Sequence, residues 1–323
     1  MSCLLSFMQL KTEIYRSLRK VMGDKNEDQR VMAVQYQGQP ANDLMREMLL
    51  SGEPCLIGRF GSNELDTTLR VFERKNGHAA WKRMLRYFRG YGGVYWWDSS
   101  IRKRMNYAAG FFPATNQYLE RFGERILDDC AELDVLGSWC KEEWRLRPLF
   151  KNAKTIDLID LEPFRHQDPW SMALKGKRVL VVHPFEASIH RQYQKRELLF
   201  SDPKVLPEFE LLTLKSIQSS GSAKVPFDDW FEALEFMCQQ ISEIDFDIAL
   251  IGAGAYGLPL GAHVKRMNRQ AVHMGGATQL LFGIRGGRWD NEGYKYIVNE
   301  HWCRPLESEK PPRADLIEKG CYW

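Results

Sequence analysis

The chain has 323 residues, and its 45 lysines and arginines against 42 aspartates and glutamates leave a formal charge of +3. That length accommodates one large α/β domain or two smaller ones, and the near-neutral balance excludes a global electrostatic argument for nucleic acid as partner. No apolar run reaches the roughly 18 residues that a spanning helix needs, and seven dispersed cysteines without a C-x-x-C pair fit a reducing cytoplasm better than a disulfide scaffold or a zinc ribbon.

At the amino end, Leu4, Phe7, Met8, Ile14, Tyr15, Leu18, Val21 and Met22 recur at helical spacing, which predicts an amphipathic helix in a helical extension over residues 1–42. Such a stripe docks on the body of the protein, on a second copy to give a homodimer, or on a membrane surface at the cytoplasmic face, where Arg16, Arg19 and Lys20 would help. After a polar linker, residues 40–50 read as helix and Cys55 to Gly58 as strand. The next residues, Arg59-Phe60-Gly61-Ser62-Asn63-Glu64-Leu65, form a strand-to-helix turn. Residues 75–107 interleave cations with Trp81, Tyr87, Tyr91, Tyr95, Trp96 and Trp97, a pattern that packs a helix, lines a sugar site or stacks bases.

Further along, Phe122 to Leu136 reads as helix and Thr155 to Leu161 as a short strand. The β-branched run Val179 to Val182 ends at His183-Pro184, as a buried parallel strand does, and Glu186 lies in the first turn of the helix that follows. Phe209 to Leu214 is a further strand and Trp230 to Ile244 an amphipathic helix. Then come a strand at Ile248 to Ile251, a turn with Gly252, Gly254 and Gly257 at G-x-G-x-x-G spacing around Tyr256, a helix ending near Asn268, and a strand at Ala271 to Met274. No internal repeat interrupts this alternation, which predicts a Rossmann-like α/β domain over residues 43–290, with a mostly parallel, doubly wound sheet flanked by helices and a tail, 291–323, packed on it.

Glycines at a strand-to-helix turn bring backbone N–H groups and a helix N-terminus toward an anion, so a phosphate-bearing ligand is expected, although the same glycines serve equally to let a helix pack on a sheet. A dinucleotide site would place a carboxylate about twenty residues past the glycines for the ribose. This chain has Val272-His273-Met274 there, which counts against NAD.

Arg59-Phe60-Gly61-Ser62-Asn63-Glu64 after a strand, together with the Ile251-Gly252-Ala253-Gly254-Ala255-Tyr256-Gly257 turn, resembles the pattern of bacterial GT-D fold glycosyltransferases, whose first motif is R-[FY]-G-D-G-E. The resemblance covers most of residues 50–290. It implies a nucleotide-sugar donor, a glycan, glycolipid or glycoprotein acceptor in surface polysaccharide or glycan biosynthesis, and a divalent metal at the acidic motif. Ser62 stands where that family has aspartate, leaving Glu64 as the one carboxylate for Mn²⁺ or Mg²⁺.

Sugar transfer needs fixed positive charge for the leaving phosphate and a proton acceptor for the incoming hydroxyl. Arg59 is the candidate cation, and Glu186 and Glu64 the catalytic carboxylates, with Asp98 and His183 as further options. Candidate donor-binding residues are Arg59, Gly61, Asn63, His183, Gly252, Gly254, Tyr256, Gly257, His273 and Gln279, and Arg285 to Arg288 form a cationic segment able to close over phosphates. Two other readings stand beside it: an NAD(P)-type oxidoreductase, and a non-catalytic nucleotide- or nucleic-acid-binding module.

Overall fold

The computed structural model describes residues 14–15, 17–18, 32–76, 80–88, 97–311, 313–317 and 320–323. Seven strands form one sheet in the order β3-β2-β1-β7-β6-β4-β5, with every pairing parallel. They are β1 (Cys55–Gly58), β2 (Val135–Ser138), β3 (Lys154–Asp157), β4 (Arg178–His183), β5 (Glu210–Lys215), β6 (Ile248–Ile251) and β7 (Gln270–His273). This is the Rossmann-like α/β fold expected from the alternation of strands and helices.

Strands buried on both faces read as near-continuous apolar runs, and the inner ones do so except at their ends, where Ser138, Arg178, His183, Gln270 and His273 stand. Leu56, Leu180, Val182, Ala249, Ile251 and Ala271 belong to one hydrophobic core, while Cys55, Ile57, Val179, Val181, Ile248, Leu250 and Val272 belong to the other. The first core is covered by α2 (Ser62–Lys75), α4 (Ser99–Tyr107), α5 (Asn116–Asp129), α7 (Trp230–Glu243) and α8 (Gly257–Arg266). The second is covered by α1 (Gln39–Ser51), by α6 (Glu186–Tyr193), and by the 3-10 turns that carry the chain from β3 to β4, among them the segment with fully buried Trp170. A further helix, α3 (Ala80–Phe88), precedes α4.

Several boundaries move. The helix expected through Leu136 ends at Asp129, and Val135 to Ser138 is a strand, too short and too close to Asp134 to register as one in the sequence. Residues 158–161 form a 3-10 turn, so β3 stops at Asp157, whose carboxylate accepts from the Ile159 N–H. Asp98 is the N-cap of α4, accepting from the Ile101 N–H at 2.9 Å, which accounts for its burial without any role at the ligand rim. The amino-terminal stripe lies mostly outside the described residues, as do Tyr91, Tyr95 and Trp96. Ile14, Tyr15, Ser17 and Leu18 are helical, as expected.

The tail folds back over the carboxyl end of the sheet. Cys303 bridges to Ile284, and Glu309 accepts from the Ala187 and Ser188 N–H groups at 2.8 and 3.2 Å, which closes the N-terminus of α6 with a carboxylate from this chain.

Candidate functional site

β4 and β6 are neighbours from which the chain leaves in opposite directions, outward to β5 and inward to β7. Helices depart to opposite faces at such a point and a crevice opens between them, the usual ligand position in a doubly wound sheet. A cleft lies here, with lining residues from the carboxyl ends of six strands: Arg59, Trp139, His183, Ser216, Gly252 and Gly275. It encloses about 1040 Å³ when its solvent-open mouth is included.

The Arg59 turn forms because β1 ends at Gly58 and α2 starts at Ser62, with Gly61 as N-cap. Gly61 has no side chain to cap the helix, and Glu64, in the first turn, folds back over it: a Cβ on Gly61 would lie 2.0 Å from Glu64 Oε2. Burial pushes the Glu64 carboxyl above its ordinary range, while its own N–H and the Arg59 charge pull the other way. The Arg59 guanidinium lies 4.9 Å from the Trp139 ring centroid and reaches the β7 turn, where Gly275 takes φ +62° and leaves a Cβ-sized space 3.4 Å from Nη1. Trp139 is itself fixed by donating from Nε1 to the Phe60 carbonyl at 2.8 Å. Among the described residues no carboxylate pairs with Arg59, and its Nε is buried without a hydrogen-bond partner.

Asn63 also lines the cleft, with Oδ1 accepting from Arg104 Nε at 3.1 Å. Asp66 faces elsewhere, bound by both Arg70 and Arg104.

The glycine turn divides into packing and lining positions. A Cβ on Gly252 would sit 2.5 Å from His183 Cδ2 and 2.9 Å from the Gly275 carbonyl, and one on Gly257 would sit 2.0 Å from His273 Cε1. These two glycines let β4, β7 and α8 approach, the structural role that the sequence left open. Gly254 differs: it has φ +55°, nothing closer than 4.0 Å to a Cβ, and a place on the cleft wall. Tyr256 also lines the cleft, but its ring stacks on Trp230 at 4.8 Å and its hydroxyl meets Ser219 at 3.1 Å, so it fastens the wall.

His183 lines the cleft in neutral form. Burial lowers its pKa to about 3, and Nδ1 accepts from the Phe185 N–H at 3.0 Å, leaving its proton on Nε2. His273 is held at about 3 by burial and by the Arg59 charge. It covers Gly257 and contacts the Ile251 carbonyl through Nδ1 at 3.2 Å, behind the cleft wall and not on it. Glu186, expected as a catalytic carboxylate, is also off the wall, because its Oε1 accepts from Thr213 of β5 at 2.6 Å. Gln279 does line the cleft. Its Nε2 donates to the Ile284 and Tyr322 carbonyls, while Oε1 is buried and unpartnered.

Sequence reasoning missed Trp139, because β2 was not recognised, and missed Tyr322 and Trp323, because the tail gave no sign of returning. Tyr322 lies over Gly276 and under the Arg288 guanidinium, 4.7 Å from its ring centroid. Trp323 meets Phe185 edge to face and keeps a buried, unpartnered Nε1. Arg288 belongs to the cationic segment noted in the sequence, and it does line the cleft.

Behind Trp139, buried Glu143 accepts from the Trp139 and Cys140 N–H groups, each at 3.2 Å, and from Ser138 Oγ. Burial pushes its pKa up to about 7.

Among the described residues no three of His, Cys, Asp or Glu gather as metal ligands, and Glu64 is the one carboxylate on the cleft wall, beside Arg59. Glu64 would supply one protein oxygen to a Mn²⁺ or Mg²⁺ whose remaining ligands are water and substrate phosphate. No family model, characterised protein or solved structure matches the chain.

Proposed function

We propose that the protein transfers a glycosyl group from a nucleoside-diphosphate sugar to a hydroxyl of a glycan, glycolipid or glycoprotein acceptor. The observation that carries this reading is Arg59: a guanidinium that pairs with no carboxylate among the described residues, laid on Trp139 and set beside Glu64 where six strands end. A guanidinium offers a fork of donors that matches phosphate oxygens, and Arg288 adds a second cation on the same wall.

In this reading the diphosphate lies against Arg59 and the exposed backbone of the Gly254 turn. Glu64, whose carboxyl is pushed up by burial, accepts the proton of the acceptor hydroxyl. The acceptor oxygen bonds to the anomeric carbon as the bond from that carbon to the phosphate oxygen breaks. The electron pair stays on the phosphate, where the charge meets the arginine fork. His183, neutral over the physiological range, serves as a hydrogen-bond partner and not as a charge. No step is assigned to a metal.

The test is thermal stabilisation by UDP, GDP, CMP, dTDP and NAD, each with and without Mn²⁺, followed by donor hydrolysis and transfer assays. A nucleoside diphosphate is expected to raise the melting temperature, Arg59→Ala to remove that shift, and Glu64→Gln to keep the shift while stopping turnover. A shift from NAD alone would overturn the reading in favour of an oxidoreductase. Diphosphate binding by the wild type with no transfer to any acceptor and no donor hydrolysis would leave a binding module.

A further inference from the structure

Trp139 directly follows β2, a strand buried along its whole length, and yet it is 41% exposed. The side chain is not free to move. Its Nε1 donates to the Phe60 carbonyl at 2.8 Å, its backbone N–H donates to Glu143, and the Arg59 guanidinium lies over the ring. With Nε1 engaged, the part of the indole left to the cleft is apolar carbon held in one orientation. A rigid apolar face on the wall of a cleft is a ready anchor for a ligand, because little side-chain freedom is lost when it is covered.

The groups beside the indole are polar. The Phe60 carbonyl that anchors Nε1 leads directly into Gly61, over which the Glu64 carboxylate is folded. Ser62, exposed, and Asn63 stand on the same turn and line the cleft. Asn63 gives its Oδ1 to Arg104, which leaves its Nδ2 hydrogens for a ligand. A flat apolar surface bordered by a hydroxyl, an amide and a carboxylate is the complement of a pyranose ring, which has C–H groups on its face and hydroxyls around its rim.

We propose that Trp139 is the seat of the acceptor and that the acceptor is a sugar ring. The pyranose lays its C–H face on the electron-rich face of the indole, and one of its hydroxyls meets Glu64. A serine or threonine of a polypeptide offers a hydroxyl but no flat apolar face, so the site selects a sugar of a glycan or glycolipid over a protein side chain. A nucleobase also stacks on an indole. In the transferase reading, however, the base lies beyond the diphosphate, away from the carboxylate that takes the acceptor's proton. The acceptor role rests on that reading, while sugar binding as such rests on the geometry of the wall.

The first measurement uses the full chain labelled with 5-fluorotryptophan, with the Trp139 fluorine resonance assigned from Trp139→Phe. Methyl pyranosides of glucose, galactose, mannose and N-acetylglucosamine are added in turn, then uridine, guanosine and a serine-containing peptide. At least one pyranoside is expected to shift the Trp139 signal, and the nucleosides and the peptide to leave it in place. The second measurement compares transfer to a sugar acceptor with hydrolysis of the donor by water. Trp139→Leu should lower transfer about tenfold more than hydrolysis, because water needs no platform, and Trp139→Phe, which keeps a flat ring, should recover most of the difference. A Trp139 that only holds Arg59 would lower both reactions equally, and that result overturns the proposal while leaving the transferase reading in place. A signal moved by no pyranoside, or moved further by a nucleoside than by any pyranoside, also overturns it. A pyranoside shift in a protein that neither hydrolyses nor transfers would keep the sugar site and end the transferase reading. Melting temperatures separate a lost platform from a lost fold, and the labelled wild type carries the test where Trp139→Leu unfolds.

Discussion

Arg59 and Trp139 come from adjacent strands, β1 and β2, and meet at the cleft with 4.9 Å between guanidinium and ring centroid. The indole fixes the plane of the guanidinium from one face and leaves its edge to a ligand. Replacing Arg59 by alanine is expected to lower kcat/KM for transfer by about 10²–10³, the usual cost of removing one charge-stabilising donor. Lysine should recover little, since an ammonium reproduces neither the fork nor the stack. Steady-state kinetics with the nucleotide identified by thermal shift gives the numbers. Parity of Arg59→Lys with wild type would remove the fork from the argument.

Gly257 and His273 are coupled by contact. Gly257→Ala places a Cβ inside the imidazole and should destabilise by about 1–3 kcal/mol through overpacking. In combination with His273→Ser the two costs should sum to less than their separate values, because the smaller side chain makes room. Urea denaturation of the two single variants and the double variant measures the coupling. Strict additivity would show that α8 and β7 are not in the contact described.

Glu143 gives a pH dependence with a definite sign. Its folded pKa of about 7 lies above the ordinary 4.5, so the unfolded chain ionises first and the folded chain holds the proton longer. The stability that the neutral acid supplies is present below about pH 4.5 and is lost as pH rises through about 7, on the order of 3 kcal/mol in all. Glu143→Gln has no such loss. Relative to wild type, its stability should therefore rise between about pH 4.5 and pH 7.5. His183 and His273 contribute the opposite slope, but equally to both proteins, and cancel in the comparison. A difference that stays flat across the window would mean that Glu143 is ionised throughout.

Glu309 caps α6 from the tail through the Ala187 and Ser188 N–H groups. Glu309→Ala should cost about 1–3 kcal/mol, the penalty for leaving buried donors unpaired, and it should loosen the tail that carries Tyr322 and Trp323. Hydrogen exchange at residues 187–188 and at the tail is the readout. Protection unchanged at both places would separate the cap from the tail.

Much of the fold was legible because buried parallel strands are runs of apolar residues closed by glycine or proline, and β1, β4 and β6 fit that description. β2 escaped because Val-Leu-Gly-Ser is four residues long and follows a helix with only Leu133 and Asp134 between the last turn and the strand. Half of the cleft was readable for a related reason: residues just after a recognised strand, such as Arg59, Glu64, His183 and Gly254, sit where strand ends converge. Glu186 also follows a strand, yet one step of helix turned it onto Thr213. Trp139 depended on the unseen strand. Tyr322 and Trp323 depended on a return of the tail, which local periodicity does not encode.

The central pairing of the sheet joins Cys55 to Gln270 and Ile57 to Val272. During synthesis β1 can find β2 soon after it emerges, but its other edge has no partner until more than two hundred further residues have been made. The cleft therefore has no intermediate form on the growing chain: Arg59 exists early, while the Gly275 turn that completes its surroundings arrives late. Loop closure over such a span is slow, and an open apolar strand edge invites pairing with other chains while it lasts. Production of this protein should thus be sensitive to translation rate and to chaperone supply, with losses concentrated before residue 270 leaves the ribosome.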